Sequence, residues 1–310
     1  MACTRPGKRW DHKPILMLGI AVVMVTAGCI TIPTPRPSQP QEKEQWTLGR
    51  VFDHVLIIVL ENQDFQTVSA HPVMAKIAEQ GTLFTNFHGL FHPSYPNYLA
   101  MVGGQDFGTW GDRQKNLHAL TITDLLEIHH LTWIQYAEGF PGNCFLEDAV
   151  GRYVRRHVPL LSFTAIQQTP DRCARVVDAK TFDPHQLPHY AFYSPDLDND
   201  GHDGPKEKRL DTAAHWLQQF LEKLPDRGIM SRTLIVVTFD ESKSYLHNHI
   251  YTVFLGGMVR RKHKEPRRYD HYNVLRTIEE NFALGTLGAE DATASPITHV
   301  WEPPKQAGAQ

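Results

Sequence analysis

Two apolar, β-branched runs, each ending in oxygen-bearing side chains, constrain this chain more than any other feature. His54-Val-Leu-Ile-Ile-Val-Leu60 leads into Glu61-Asn62, and Thr233-Leu-Ile-Val-Val-Thr-Phe239 leads into Asp240-Glu241. Neither run alternates apolar with polar, so each reads as a strand buried on both faces, as in a parallel sheet covered by helices. Ligands of open α/β sheets bind beyond the carboxyl ends of the strands. The two tips therefore aim hard oxygen ligands at one sheet edge, where a divalent cation would bind.

The first 29 residues read as an export signal. Arg5, Lys8, Arg9 and Lys13 precede an apolar stretch from Ile15 to Val25 that is too short to span a bilayer comfortably, and Thr26-Ala27-Gly28 leads to Cys29. That ending is similar to a bacterial lipobox, with Thr26 in place of the usual larger aliphatic, and it predicts lipidation at Cys29. Ordinary signal-peptidase cleavage and an uncleaved anchor are the alternatives. Residues 30–48 hold Pro33, Pro35, Pro37 and Pro40 with little to bury, and read as a tether. The expectation is an exported lipoprotein, facing the periplasm or cell exterior, with one α/β domain at 49–301 and a frayed tail at 302–310. A formal net charge of −3 without long runs of one sign gives no electrostatic footprint for nucleic acid. Arg260, Arg261, Lys262, Lys264, Arg267 and Arg268 cluster around Pro266, either as a solvated turn or as a face for a membrane or an anionic substrate.

Cys3 leaves with the signal and Cys29 is the lipid site, so Cys144 and Cys173 are the pair left for an oxidising compartment and are expected to form a disulfide. Two buried free thiols would be the alternative. Strands are expected at 54–60, 82–87, 131–136, 189–194, 233–239 and 250–256, with helices near 70–80, from Pro96, at 121–129, at 208–223 and at 271–282. This alternation implies α/β order with parallel pairing.

Two loops carry further chemistry. In His92-Pro-Ser-Tyr-Pro-Asn-Tyr98, Ser94 lies between two prolines just before a helix, either as an N-cap or as a nucleophile whose phosphate the helix start and the Asn97 amide would hold. In Pro195-Asp-Leu-Asp-Asn-Asp-Gly-His-Asp-Gly204, the spacing of Asp196, Asp198, Asp200, Gly201 and Glu207 matches a calcium loop. An EF-hand needs a helix on each side, and a strand precedes this loop, so that reading is rejected. The loop instead carries Asp196, His202 and Asp203 to a strand end, although a hydrophilic turn would look the same.

Glu61-Asn62, the Pro-Ser-x-Pro-Asn of 93–97, Gly201-His-Asp203, Thr238-Phe-Asp-Glu241, Asn248-His-Ile250 and His271-Tyr-x-x-Leu-Arg-Thr-Ile-Glu279 occur in order. In this ordered set the chain resembles the phosphoesterase family of bacterial and fungal acid phosphatases and phospholipases C, over residues 51–285. The resemblance implies an alkaline-phosphatase-like fold, a mixed and mostly parallel sheet flanked by helices. It also implies a divalent metal held by Glu61, Asn62, Ser94, Asp240 and Glu241, with Ser94 as nucleophile. His202 is the expected proton donor to the leaving group, and His157, in Tyr153-Val-Arg-Arg-His-Val-Pro159, is a candidate for facing the phosphate. Asp196, Asp203, His249 and His271 are candidates for a second metal or phosphate site. The expected activity is phosphate monoester hydrolysis through a phosphoserine. The alternatives are a phosphodiesterase or phospholipase C acting on phospholipid headgroups, and a non-catalytic, lipid-anchored protein that binds phosphorylated ligands.

Overall fold

In the computed structural model, which describes residues 50–225, 227–245 and 247–302, the two apolar runs lie side by side in the middle of a nine-stranded sheet. The signal segment with Cys29, the tether and residues 303–310 of the expected tail lie outside the described residues. The strands are β1 (His54–Leu60), β2 (Thr82–His88), β3 (Trp133–Ala137), β4 (Ala149–Val150), β5 (Tyr153–Val154), β6 (Val176–Asp178), β7 (Tyr190–Ser194), β8 (Thr233–Phe239), β9 (His249–Leu255), β10 (His263–Glu265) and β11 (Tyr269–Asp270). The sheet order is β10-β2-β9-β8-β1-β7-β3-β6, with β11 also beside β2, while β4 and β5 pair with each other.

β1 runs parallel to β8 in unbroken register from His54 and Thr233 to Leu60 and Phe239, so Glu61 and Asp240 emerge at the same level. Val55–Leu60 and all of β8 are buried, as expected of strands covered on both faces. Helices 94–103 and 271–281 pack against each other, and Met101, His271 and Val274 from them meet Ile57 and Val236 of the sheet.

The sheet is mixed and mostly parallel, and β9 runs antiparallel to both neighbours, β8 and β2. This agrees with the expected mixed, mostly parallel sheet, and the antiparallel β9 has a physical reason. A parallel return needs a crossover of about a dozen residues or more, usually a helix, and the 240–248 link is shorter than that and contains no helix among its described residues. The helix expected near 70–80 is Pro72–Ala78, and a separate turn, Phe65–Ala70, precedes it. His71 between them is extended, at φ −70 and ψ 127, because the ring of Pro72 excludes the α region from the residue before it.

Cys144 and Cys173 form the expected disulfide, with 5.6 Å between their Cα atoms. Cys173 belongs to a satellite core with Phe140, Tyr153, Val158 and Leu161, and Cys144 packs against it.

Candidate active site

The parallel register of β1 and β8 ties their tips together. Asp240 donates its N–H to the Leu60 carbonyl at 3.0 Å, and Asn62 donates its N–H to Asp240 Oδ1 at 3.2 Å. Asn62 is in the left-handed region at φ 42, which asparagine tolerates better than most residues, and the bend leaves its amide pointing into the acids. The inward terminal atom of that amide lies 3.1 Å from Asp240 Oδ1, 3.2 Å from Glu241 Oε1 and 3.3 Å from Glu61 Oε2. As nitrogen it donates to all three; as oxygen it completes a cage for a cation. Ser94 opens helix 94–103 and joins the same group. Its Oγ lies 3.0 Å from Glu61 Oε2, 3.2 Å from Glu241 Oε1 and 3.3 Å from Asn62 Oδ1.

Glu61, Asp200, Asp240 and Glu241 are all at most 4% exposed. Burial pushes Asp240 up to about 7, against hydrogen bonds that pull it down. Burial and then the Asp240 charge push Glu241 up to about 9. Burial, followed by the charges of Asp240 and Asp200, holds Glu61 well above the usual carboxylate range, and Asp200 is raised chiefly by burial. Among the described residues the ion-pair partners of these acids are histidines, with no lysine or arginine: His92 at Glu241 Oε2, and His157 between Glu61 and Asp200. Without a cation such buried acids are neutralised by taking up protons, and a donor set of carboxylate, amide and hydroxyl oxygens fits a hard divalent ion.

Glu61 faces two ways. Its Oε1 accepts the Tyr98 hydroxyl at 2.6 Å and lies 3.3 Å from His157 Nε2, while His157 Nδ1 lies 3.2 Å from Asp200 Oδ2. Ligand atoms of Glu61, His157 and Asp200 all lie within 4.8 Å of one another, so this buried group can hold a metal ion. Burial, with the charges of Arg156 and His202 adding to it, keeps His157 well below its ordinary value and hence in the neutral form that ligates metals. The Tyr98 ring stacks on His157 with centroids 4.9 Å apart.

Several residues singled out from the sequence stand elsewhere. Asn97 is fully buried and its amide is committed to the preceding loop. Its Oδ1 accepts from Leu90 and Phe91, both at 2.9 Å, and its Nδ2 donates to the Phe91 and Pro93 carbonyls, so the arrangement leaves no donor for a phosphate oxygen. The Tyr95 N–H at the helix start already donates to Asp112 Oδ1 at 3.1 Å. His202 lines the mouth of the site, its Nδ1 held 2.8 Å from Asp203 Oδ1, and Asp203 also pairs with Arg152. Asp196 closes a turn by accepting the N–H groups of Asp198 and Asn199. His271 sits beneath the acids: its Nε2 donates to the Asp240 carbonyl at 2.7 Å, and burial holds it down at about 4, hence neutral. His249 is turned away, 3.1 Å from the Thr85 carbonyl and stacked on Phe65 and His88. Among the described residues, Asp196, Asp203, His249 and His271 do not bring their ligand atoms together into a second metal-holding group.

Three residues in contact with the acid cluster had no role in the sequence analysis: Asp200, Tyr98 and His92. Asp200 stood within the calcium-like spacing, the one signal that could have found it. Tyr98 reads as an ordinary helix core position, and His92 as the entry to a rigid loop.

A cavity of about 190 Å³ opens over Asn62 and Glu241, and its rim carries His92, His202, Arg209 and Lys243 together with the exposed Tyr245. The acidic floor and basic rim suit a small anionic ligand above a cation.

The likeness to known proteins follows this geometry. A model of the Phosphoesterase family matches residues 66–285. A probable acid phosphatase of Kluyveromyces lactis is 35% identical over 267 residues, covering 80% of this chain and 62% of that protein. A phosphatidylinositol-3-phosphatase of Mycobacterium tuberculosis is 32% identical over 264 residues, covering 81% of this chain and 83% of that one. The chain thus spans about three-fifths of the length of the fungal acid phosphatases it matches, with shares of 62%, 64% and 61%. In fold it is similar to a solved alkaline phosphatase superfamily protein from Vibrio parahaemolyticus, with a TM-score of 0.53 at 14% identity over 81% of this chain and 72% of that one. With a matching family model over most of its length and relatives above 30% identity, the chain belongs to the phosphoesterase family.

Proposed function

We propose that this chain hydrolyses phosphate monoesters in a cation-dependent reaction, with Ser94 as nucleophile. The observation that carries this reading is the position of Ser94 Oγ, within 3.3 Å of oxygens from Glu61, Asn62 and Glu241. The names of the fungal relatives support the same chemistry. Glu61, Asn62, Ser94, Asp240 and Glu241 would hold the cation, which when bound stabilises an alkoxide and polarises a phosphoryl oxygen. A serine hydroxyl is otherwise a weak nucleophile.

The protein's own groups supply the rest. Ser94 Oγ attacks phosphorus in line as its proton passes to a neighbouring carboxylate. Arg209, Lys243 and His92 at the cavity rim offset charge on the equatorial oxygens. His202, ordered by Asp203, gives a proton to the departing alcohol. Water then hydrolyses the phosphoserine. A phosphoinositide headgroup is the favoured lipid substrate, because the Mycobacterium tuberculosis relative matched over 83% of its length carries that activity in its name. The reading includes export and lipidation at Cys29, with residues 30–48 as tether; an acyl-chain mass shift on the mature N-terminus tests it.

The decisive experiment compares p-nitrophenyl phosphate, its bis ester and a phosphatidylinositol phosphate as substrates, before and after chelation and divalent-metal add-back. Turnover of the monoesters should vanish on chelation, return with metal and be lost in Ser94→Ala. Full activity in Ser94→Ala refutes the covalent step, and preference for the bis ester moves the assignment to a phosphodiesterase.

A further inference from the structure

A second cavity, of about 460 Å³, adjoins the first and shares its dividing walls. Neighbouring residues of two segments face opposite sides. Asn62 and Gln63 line the Ser94 cavity and Asp64 the other; Ser242, Lys243 and Tyr245 line the first, Ser244 and His247 the second. The second cavity also presents Asn86, His88 and Arg268, the last from the basic stretch that the Ser94 chemistry leaves unused.

Two side chains there have donors to spare. Arg268 and His247 are exposed, and neither side chain has a hydrogen-bond or ion-pair partner among the described residues. Asp64, the acid in the wall, already has Oδ1 occupied by the Ser244 N–H at 2.9 Å and the Ser244 hydroxyl at 2.8 Å. His88 lies between two acceptors, with Nδ1 2.6 Å from the His247 carbonyl and Nε2 2.8 Å from Asn86 Oδ1. Asn86 is fixed in that orientation by donating Nδ2 to the Pro266 carbonyl. Both contacts are hydrogen bonds only when both ring nitrogens carry protons. Burial, Arg268 and the His247 ring oppose that charge, the bond to the His247 carbonyl and Asp270 favour it, and the His249 ring stacks alongside. An anion in the cavity would tip the balance toward the imidazolium. With both His88 nitrogens engaged, the donors left for an anion are those of Arg268 and His247.

We infer that this cavity is a second anion site of the phosphate class, separate from the centre at Ser94 and held chiefly by Arg268 and His247. Two sources share that chemistry: free phosphate, and the phosphorylated headgroup of a lipid. The inference does not depend on Ser94 being the nucleophile, because it concerns binding on the far side of the 242–247 segment.

The test is titration calorimetry of the full chain with inorganic phosphate, together with sedimentation of the Ser94→Ala protein with phosphatidylcholine vesicles that do or do not contain a phosphatidylinositol phosphate. Each is repeated with Arg268→Ala and His247→Ala combined. Loss of charge-assisted hydrogen bonds should weaken one class of phosphate site, or the phosphoinositide-dependent vesicle binding, about tenfold or more. Hydrolysis of p-nitrophenyl phosphate should stay within about twofold, because neither residue lines the Ser94 cavity. A change with free phosphate alone identifies the soluble anion as the ligand, and a change with vesicles alone identifies the headgroup. Unchanged phosphate stoichiometry and affinity together with unchanged vesicle binding overturn the inference.

Discussion

Tyr98 donates its hydroxyl to Glu61 Oε1 at 2.6 Å in a fully buried setting, so removing that donor leaves a carboxylate oxygen short of a partner. Tyr98→Phe should therefore destabilise the protein by about 1–3 kcal/mol, which lowers Tm by about 2–4 °C for each kcal/mol in a protein of this size. Thermal unfolding by circular dichroism measures it, and an unchanged Tm would mean that Glu61 does not depend on this bond. Asn97 makes a parallel case. Its amide bonds only to the loop at 90–93, so Asn97→Ala should lower Tm and kcat together as His92 and Ser94 lose their fixed positions. A rise in KM with Tm unchanged would instead return Asn97 to direct phosphate contact. At this scale the sequence marked Glu61, Asn62, Ser94, Asp240 and Glu241 because each stands at a strand tip or helix start, where direction follows from the backbone. It did not mark Asp200, Tyr98 or His92, whose proximity is created by packing between distant segments, and it gave Asn97 to the substrate because an amide near a serine looks the same whether it serves a loop or a ligand.

The elements were read best where burial alone dictated them. β1 and β8 follow directly from their unbroken apolar runs, whereas the direction of β9 is set by the absence of a crossover helix, which a strand-by-strand reading overlooks. The helix expected near 70–80 matches Pro72–Ala78 and misses the separate turn of Phe65–Ala70, which ends where Pro72 holds His71 extended. The disulfide joins the 138–148 loop to the short helix at 170–173, closing a separation of 29 residues. Removing it as Cys144→Ser with Cys173→Ser should lower unfolding free energy by about 3 kcal/mol, as for loops of similar length. Urea titration gives the value, and a loss below about 0.5 kcal/mol would show that the satellite core holds this region without the crosslink.

The charge balance belongs to the molecule as a whole. Asp240 at about 7 and Glu241 at about 9 stand above their ordinary values, so between those values and the usual carboxylate range the metal-free folded chain binds more protons than the unfolded one. Stability from these groups is full below the unfolded values and declines as pH rises through the folded ones. His271 acts in the opposite sense: held down at about 4, it contributes stability above its ordinary value near 6.5 that is lost as pH falls toward 4. Chelated protein should accordingly lose Tm between pH of about 6 and about 9, and a divalent cation should restore more at the alkaline end than at the acid end. Equal gains at both ends would separate the cation from these carboxylates.

Glu61, with one oxygen turned to Ser94 and the other to His157, is a shared member of two side-chain clusters. Any change of its charge or length is felt on both sides at once, so neither cluster can be retuned through it alone, and variants that alter only one must be sought at Asp200 or at Asn62.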